Sequence, residues 1–271
     1  MIKQYNKTIQ FYGFSLVIPW LFWTIAAIIS HLPDHSNSLS VLQGVFGIMG
    51  LIAPMFVAAY LFFSNQELFD DLKQRLFRVK NAKPIYTFLA IMLILSSIVL
   101  AQLISVLFGY SINQFDISGQ PSFTSAVFSP WFILVFAPVV EELAWHSYGT
   151  DTLRSRFNLF NTCMIFAVYW VIWHLPLSFI KGYYHSNIVA EGWIYSVNFV
   201  FSLFVFVVLM NWLYYKTNRN ILITIFFHLS ANISNEIFAT HPMSKVIQTG
   251  ILLIVSFVVL VKDRQMFFGK I

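Results

Sequence analysis

Three stretches of the chain carry ionisable or amide side chains amid apolar sequence: Glu141 with Glu142, His174, and His228 with Asn232. Carboxylates and imidazoles placed this way transfer protons, relay them, or hold an ion or a polar substrate. Residues four apart on a helix project from one face, which pairs His228 with Asn232 and Glu142 with His146. Glu141 is then turned about one helical step away, free to face a neighbouring helix. One carboxylate is braced while the other is left to react.

The elements around these groups must be membrane helices. Of 271 residues, 58% are hydrophobic, only 10% are charged and Phe occurs 30 times, a composition no water-soluble domain of this size has. An ionisable side chain inside a membrane helix costs about 2.5 kcal/mol or more, so such groups face the bundle interior and have a purpose. A single buried histidine can merely bond a carbonyl, whereas two adjacent buried carboxyls need a partner or a role. Glu236, His31, His35, His185 and His241 fall at span ends or in outer loops and read as solvated or locally paired. The net charge of +5 lies beside spans and forms no basic domain, which argues against a nucleic-acid partner. Cys163 is the only cysteine, so no intramolecular disulfide forms, and it reads as a packing residue.

Hydropathy predicts an all-α, polytopic transmembrane bundle of about eight spans: 11–30, 41–63, 84–108, 123–147, 161–180, 193–215, 221–240 and 244–261. The first reads as a retained helix, because no small-x-small cleavage site precedes His31. Residues 64–83 form the one sizeable polar connection, and Leu68, Leu72, Leu76 and Val79 recur in it at helical spacing, which predicts a cytoplasmic interfacial helix. With both termini cytoplasmic, 14 of the 16 basic residues lie inside and only Lys181 and Lys245 outside. Residues 1–271 form one membrane domain, with no repeat and no linker. Gly44, Gly47 and Gly50 allow close packing in the second span. Ideal spans leave a mismatch in depth: Glu141 falls near the cytoplasmic end of its helix, His174 about 20 Å and His228 about 10 Å from theirs. Either the fourth helix runs lower, embedding part of 147–158, or Pro176 and helix tilt shift the fifth.

Glu141-Glu142-Leu-Ala-Trp-His-Ser-Tyr-Gly resembles the first motif of the CPBP (CAAX protease and bacteriocin-processing, or Abi) intramembrane proteases, usually two glutamates, three residues and an arginine. Tyr169-Trp-Val-Ile-Trp-His-Leu-Pro176 is similar to the second, and His228-Leu-Ser-Ala-Asn232 to the third. The resemblance covers residues 123–240 as a catalytic core. His146 stands where the family usually has arginine, which is permanently charged and bidentate, and Trp170 where it usually has phenylalanine.

The resemblance implies an intramembrane endopeptidase acting on a peptide or protein substrate at the bilayer. Glu141 would be the general base, His174 would help hold the water, His228 and Asn232 would form the oxyanion hole, and Glu142 with His146 would brace the first motif. No cofactor is required by the sequence, although Glu141, His174 and His228 are a set that can hold Zn²⁺ with an open position for water. Two alternatives stand beside this reading: a family member without catalysis acting as a binding scaffold, raised by His146, and a proton-coupled transporter. The short loops fit a multi-pass protein of a bacterial inner or plasma membrane.

Overall fold

The computed structural model describes residues 4–33, 36–77 and 83–269. His35, Val79 and the topology residues Lys3, Arg78, Lys80 and Lys270 lie outside them. The described residues are overwhelmingly helical: α1 (Thr8–Ser30), α2 (Asn37–Phe63), α3 (Gln66–Phe77), α4 (Pro84–Leu107), α5 (Pro130–Ala144), α6 (Thr150–Arg154), α7 (Leu159–His174), α8 (Tyr184–Glu191), α9 (Trp193–Lys216), α10 (Ile221–Glu236), α11 (Pro242–Lys262) and α12 (Arg264–Phe268). No strand occurs among the described residues beyond an isolated bridge between Ile117 and Phe238.

Six helices are long and apolar enough to cross a membrane: α1, α2, α4, α9, α11, and α7 with its 3₁₀ extension to Phe179. The helices carrying the first and third motifs are shorter, at 15 residues for α5 and 16 for α10. The predicted fourth span starts seven residues too early. Pro130 opens α5 at the first turn, where its missing N–H costs nothing, and the Ser129 hydroxyl caps the Phe132 amide at 3.2 Å.

The helical path of α5 does not stop at Ala144. It continues through a π-helical turn, Trp145–Gly149, into α6, and residues 145–153 are buried. Extension to Arg154 puts Glu141 about 20 Å from the lower end of its path. That is level with His174, so of the two resolutions of the depth mismatch the lower-running fourth helix is the one adopted. α10 meets them from a deep start: Asn218 and Arg219, both at positive φ (57° and 65°), bring the chain back inside the bundle.

The bundle has two unlike ends. At one, the chain start, α3, α6, the α9–α10 turn and α12 meet: Thr8 Oγ1 lies 2.8 Å from Thr152 Oγ1, and Trp212 Nε1 donates to Asp263 at 2.8 Å. At the other, loops cross-link: Ser118 N to Ile237 O at 2.7 Å, Thr124 N to Gly182 O at 2.9 Å and Ser122 N to Glu236 Oε2 at 2.6 Å. Two predicted small-residue positions are used for close approach. A Cβ on Gly50 would collide with Trp23 Nε1, and one on Gly47 with the Tyr183 hydroxyl.

Candidate active site

Glu141 and Glu142 sit on opposite sides of the argument their spacing raised. Glu142 is fully buried and accepts from two imidazoles, His146 Nδ1 four residues on and His228 Nδ1 at 2.8 Å from α10. Glu141 borders the main cavity of the bundle, and its Oε2 accepts from two indoles, Trp145 Nε1 at 3.4 Å and Trp170 Nε1 at 3.3 Å. Both bonds are long, and the carboxylate keeps acceptor capacity toward the cavity. Trp170, which replaces a usual phenylalanine, thus supplies a donor that phenylalanine lacks.

His174 donates Nδ1–H to the Trp170 carbonyl at 2.6 Å, since a carbonyl only accepts. Its Nε2 is left for other work. His228 likewise has Nδ1 committed, to Glu142. Asn232 borders the same cavity as His228, as their four-residue spacing predicts, and its amide makes one long bond, 3.4 Å to Leu134 O on α5. Among the described residues, the buried Nε2 of His146 has no partner.

The cavity these groups border measures about 1170 Å³. Glu141, Trp170, His174, His228 and Asn232 all line it, with residues from the loops of the cross-linked end. For Zn²⁺, Glu141, His174 and His228 share the cavity without converging: among the described residues no three His, Cys, Asp or Glu side chains gather as a metal-ligand group. As arranged, the set does not fit a metal.

Below the cavity, α3 buries more than the apolar stripe that its periodicity marks. Asn65 caps it, accepting from Glu67 N at 3.0 Å, and Leu68 packs in the core as the periodicity predicts, but Asp71 and Arg75 are buried as well. Arg75 donates to the carbonyls of His146 (3.0 Å) and Ser147 (2.8 Å) in the π-helical turn, and to Asp151 (3.1 Å), Tyr214 (2.8 Å) and Tyr5 (2.5 Å). Arg219 bridges Asp71 and Asp151 at 2.8 and 2.5 Å. Burial alone would raise the Asp71 carboxyl, but Arg75 and Arg219 outweigh it and hold it below its ordinary range. Where the motif offers histidine in place of arginine, a guanidinium from another helix grips the same turn.

Trp145, Arg75 and His185 are the site residues that no motif flags. His185, expected in an outer loop, rides on α8 with its ring centroid 4.9 Å from that of His174 and lines the cavity. The other outer histidines behave as expected: His31 Nδ1 bonds Ala27 O at 2.9 Å, and His241 caps Met243 N at 3.1 Å. Glu236 pairs locally, 3.7 Å from Lys245.

A family profile described as Rce1-like, type II CAAX prenyl endopeptidase Rce1-like, matches residues 123–234. A Methanococcus maripaludis protein named CAAX prenyl protease 2 is 32% identical over 276 aligned residues, covering 100% of both chains. Likeness over the whole length, with the three motifs around one cavity, makes this chain a member of the CPBP family of CAAX-type proteases, held in a multi-pass membrane bundle.

Proposed function

We propose that the chain is an intramembrane endopeptidase that uses Glu141 to activate water against a peptide bond of a membrane-associated polypeptide. The observation that carries this is the unequal treatment of two adjacent carboxylates: Glu142 is consumed by His146 and His228, while Glu141 is held lightly by two indoles at the cavity wall. Residues 1–271 act as one domain of eight crossings with both termini cytoplasmic, α5–α6 and α10 completing the six longer spans.

Water bound between Glu141 and His174 Nε2 gives a proton to the Glu141 carboxylate as its oxygen attacks the peptide carbonyl. The carbonyl electrons move onto oxygen, where the Asn232 amide and His228 Nε2–H meet the new charge. His228 can donate there as an imidazolium, because its Nδ1–H is already on Glu142. Collapse of the tetrahedral species breaks the C–N bond, and the proton on Glu141 passes to the leaving amine. No metal takes part in this scheme, so incubation with a strong chelator should leave the rate unchanged.

The test is cleavage of quenched peptides, prenylated and unprenylated, by purified protein in detergent. Wild type should cleave and Glu141→Ala should not, at equal yield and melting temperature; full activity in the variant sinks the assignment. The scaffold and transporter readings lose ground to the family membership. Liposome uptake that survives loss of proteolysis would favour the transporter, and a cellular phenotype left intact by Glu141→Ala would favour the scaffold.

A further inference from the structure

We infer, on the strength of the endopeptidase reading, that His185 is a positioning residue for this reaction: its ring, lying against that of His174, holds the catalytic imidazole in the orientation that binds the water. One hydrogen bond, Nδ1–H to the Trp170 carbonyl at 2.6 Å, ties His174 to its own helix. Rotation about the bond that carries an imidazole is soft, so a single bond at one edge leaves the plane of the ring to be set by what packs against it. Catalysis depends on that plane, because Nε2 must face the same water as the Glu141 carboxylate.

Four rings set the plane. Trp170 and Trp173 come from the same helix as His174, with centroids 5.4 and 4.8 Å from it, and Phe199 comes from α9 at 5.7 Å. Trp173 and Phe199 meet it edge to face, at 88° and 83°. His185 lies flattest against it, with centroids 4.9 Å apart and 33° between the planes. Phe199 also stands edge to face with His185, at 87° and 5.0 Å, so one phenylalanine braces both members of the histidine pair. Contacts of this kind between aromatic rings are attractive and directional, and they resist rotation of either ring.

Three of the four rings ride on long helices, whereas His185 arrives on α8, an eight-residue helix with no fully buried residue. Two glycines in the left-handed region, Gly182 (φ 80°) before α8 and Gly192 (φ 139°) after it, turn the chain so that α8 lies along the cavity wall. Its place is then held from neighbouring segments. Asn187 Nδ2 donates to Ser122 O at 2.6 Å, Thr124 N donates to Gly182 O at 2.9 Å, and the Lys245 ammonium stands 5.5 Å from the centre of the Tyr184 ring. His185 is the residue of α8 whose ring meets His174, so the placement of α8 reaches the imidazole through it.

The test uses the purified full-length protein in detergent and a quenched peptide that the wild type cleaves. His185→Ala should lower kcat about 10- to 100-fold with KM and melting temperature unchanged, since the loss is in the geometry of attack and not in binding. His185→Phe, which keeps a flat ring, should restore most of the rate, and His185→Gln, which keeps polarity without the ring, should not. Asn187→Ala loosens α8, so it should lower kcat by less and add nothing to His185→Ala, because the two act through one contact. An unchanged kcat in His185→Ala overturns the inference. So does a raised KM at constant kcat, which would make His185 a substrate contact, or recovery by Gln and not by Phe. Should His185→Ala fail to fold, the Phe and Gln variants decide the matter, and equal activity in the two counts against positioning. Cleavage that survives Glu141→Ala overturns the endopeptidase reading instead, and if the wild type cleaves no peptide of any kind, both fall.

Discussion

The end of the bundle closed by the Asp71, Arg75, Asp151 and Arg219 network and the cavity above it handle buried polar groups in opposite ways. At the closed end nearly every bonding position is used: Asp151 accepts from Arg75, Arg219, Tyr214 and Tyr215, and Arg75 reaches three carbonyls, two carboxylates and two phenols. Around the cavity, His174 and His228 each have one nitrogen committed, Asn232 makes one long bond, and Glu141 is held by two. Saturated ion networks resist rearrangement, and removing one member leaves another charge stranded. Catalytic groups need spare capacity for water and substrate. The molecule concentrates rigidity on one side of the π-helical turn and reactivity on the other, so the two ends should fail differently when mutated.

The largest effect is expected at the reactive side. Glu141→Gln preserves size and can still accept from both indoles but cannot take a proton, so hydrolysis should fall at least ~10³-fold while the melting temperature in detergent stays within error. A variant that loses stability instead would erase the distinction between the ends. Next comes Arg75→Ala, which leaves Asp71 and Asp151 to share the single guanidinium of Arg219 and frees the His146 and Ser147 carbonyls. It should cost about 3–5 kcal/mol of stability, read as poor yield or a sharply lowered melting temperature. Arg75→Lys should recover only part, because an ammonium lacks the planar fork. If Arg75→Ala melted normally but lost activity, the closed end would be part of the chemistry and the comparison would break.

Trp170→Phe sharpens the boundary between the two. It removes one donor from Glu141 and retains the aromatic ring, so kcat should drop about tenfold, the equivalent of one hydrogen bond to a charged group, with stability little changed. The smallest effect concerns Asp71. Its carboxyl is held below its ordinary value of 3.8 by Arg75 and Arg219, so the stability it adds is fully present above that value and drains away as pH falls through the depressed one. Melting temperatures should therefore be flat in this respect from pH 7 to 5 and fall below pH 4, and Asp71→Asn should flatten the acid limb.

The motif helices and the residues bordering the cavity were legible because four-residue spacing is a local property. Glu142 with His146 and His228 with Asn232 need no knowledge of the rest of the chain to share a face. The extent of α5 was half legible: hydropathy sees Ser147, Thr150, Asp151 and Thr152 as the end of a span, whereas bonds made by Tyr5, Arg75 and Tyr214 let those residues stay buried in a helix. Arg75 and Arg219 read as topology signals because, Asp71 beside Arg75 excepted, their ion-pair partners lie 68 to 148 residues away, a distance at which sequence spacing says nothing. The donor roles of Trp145 and Trp170 toward Glu141 were hidden for another reason. An indole in an apolar helix reads as bulk, and only the position of the Glu141 carboxylate turns its N–H into a function.

The bridging of Asp71 and Asp151 by Arg219 has a consequence for biogenesis. Asp71 meets Arg75 within one helix, but Asp151 also needs a cation that the ribosome delivers 68 residues later. Until the α9–α10 turn has emerged, an inserting chain carries an acid that is only partly neutralised. A nascent chain arrested before residue 219 is thus left with two aspartates, Asp71 and Asp151, sharing the one guanidinium of Arg75.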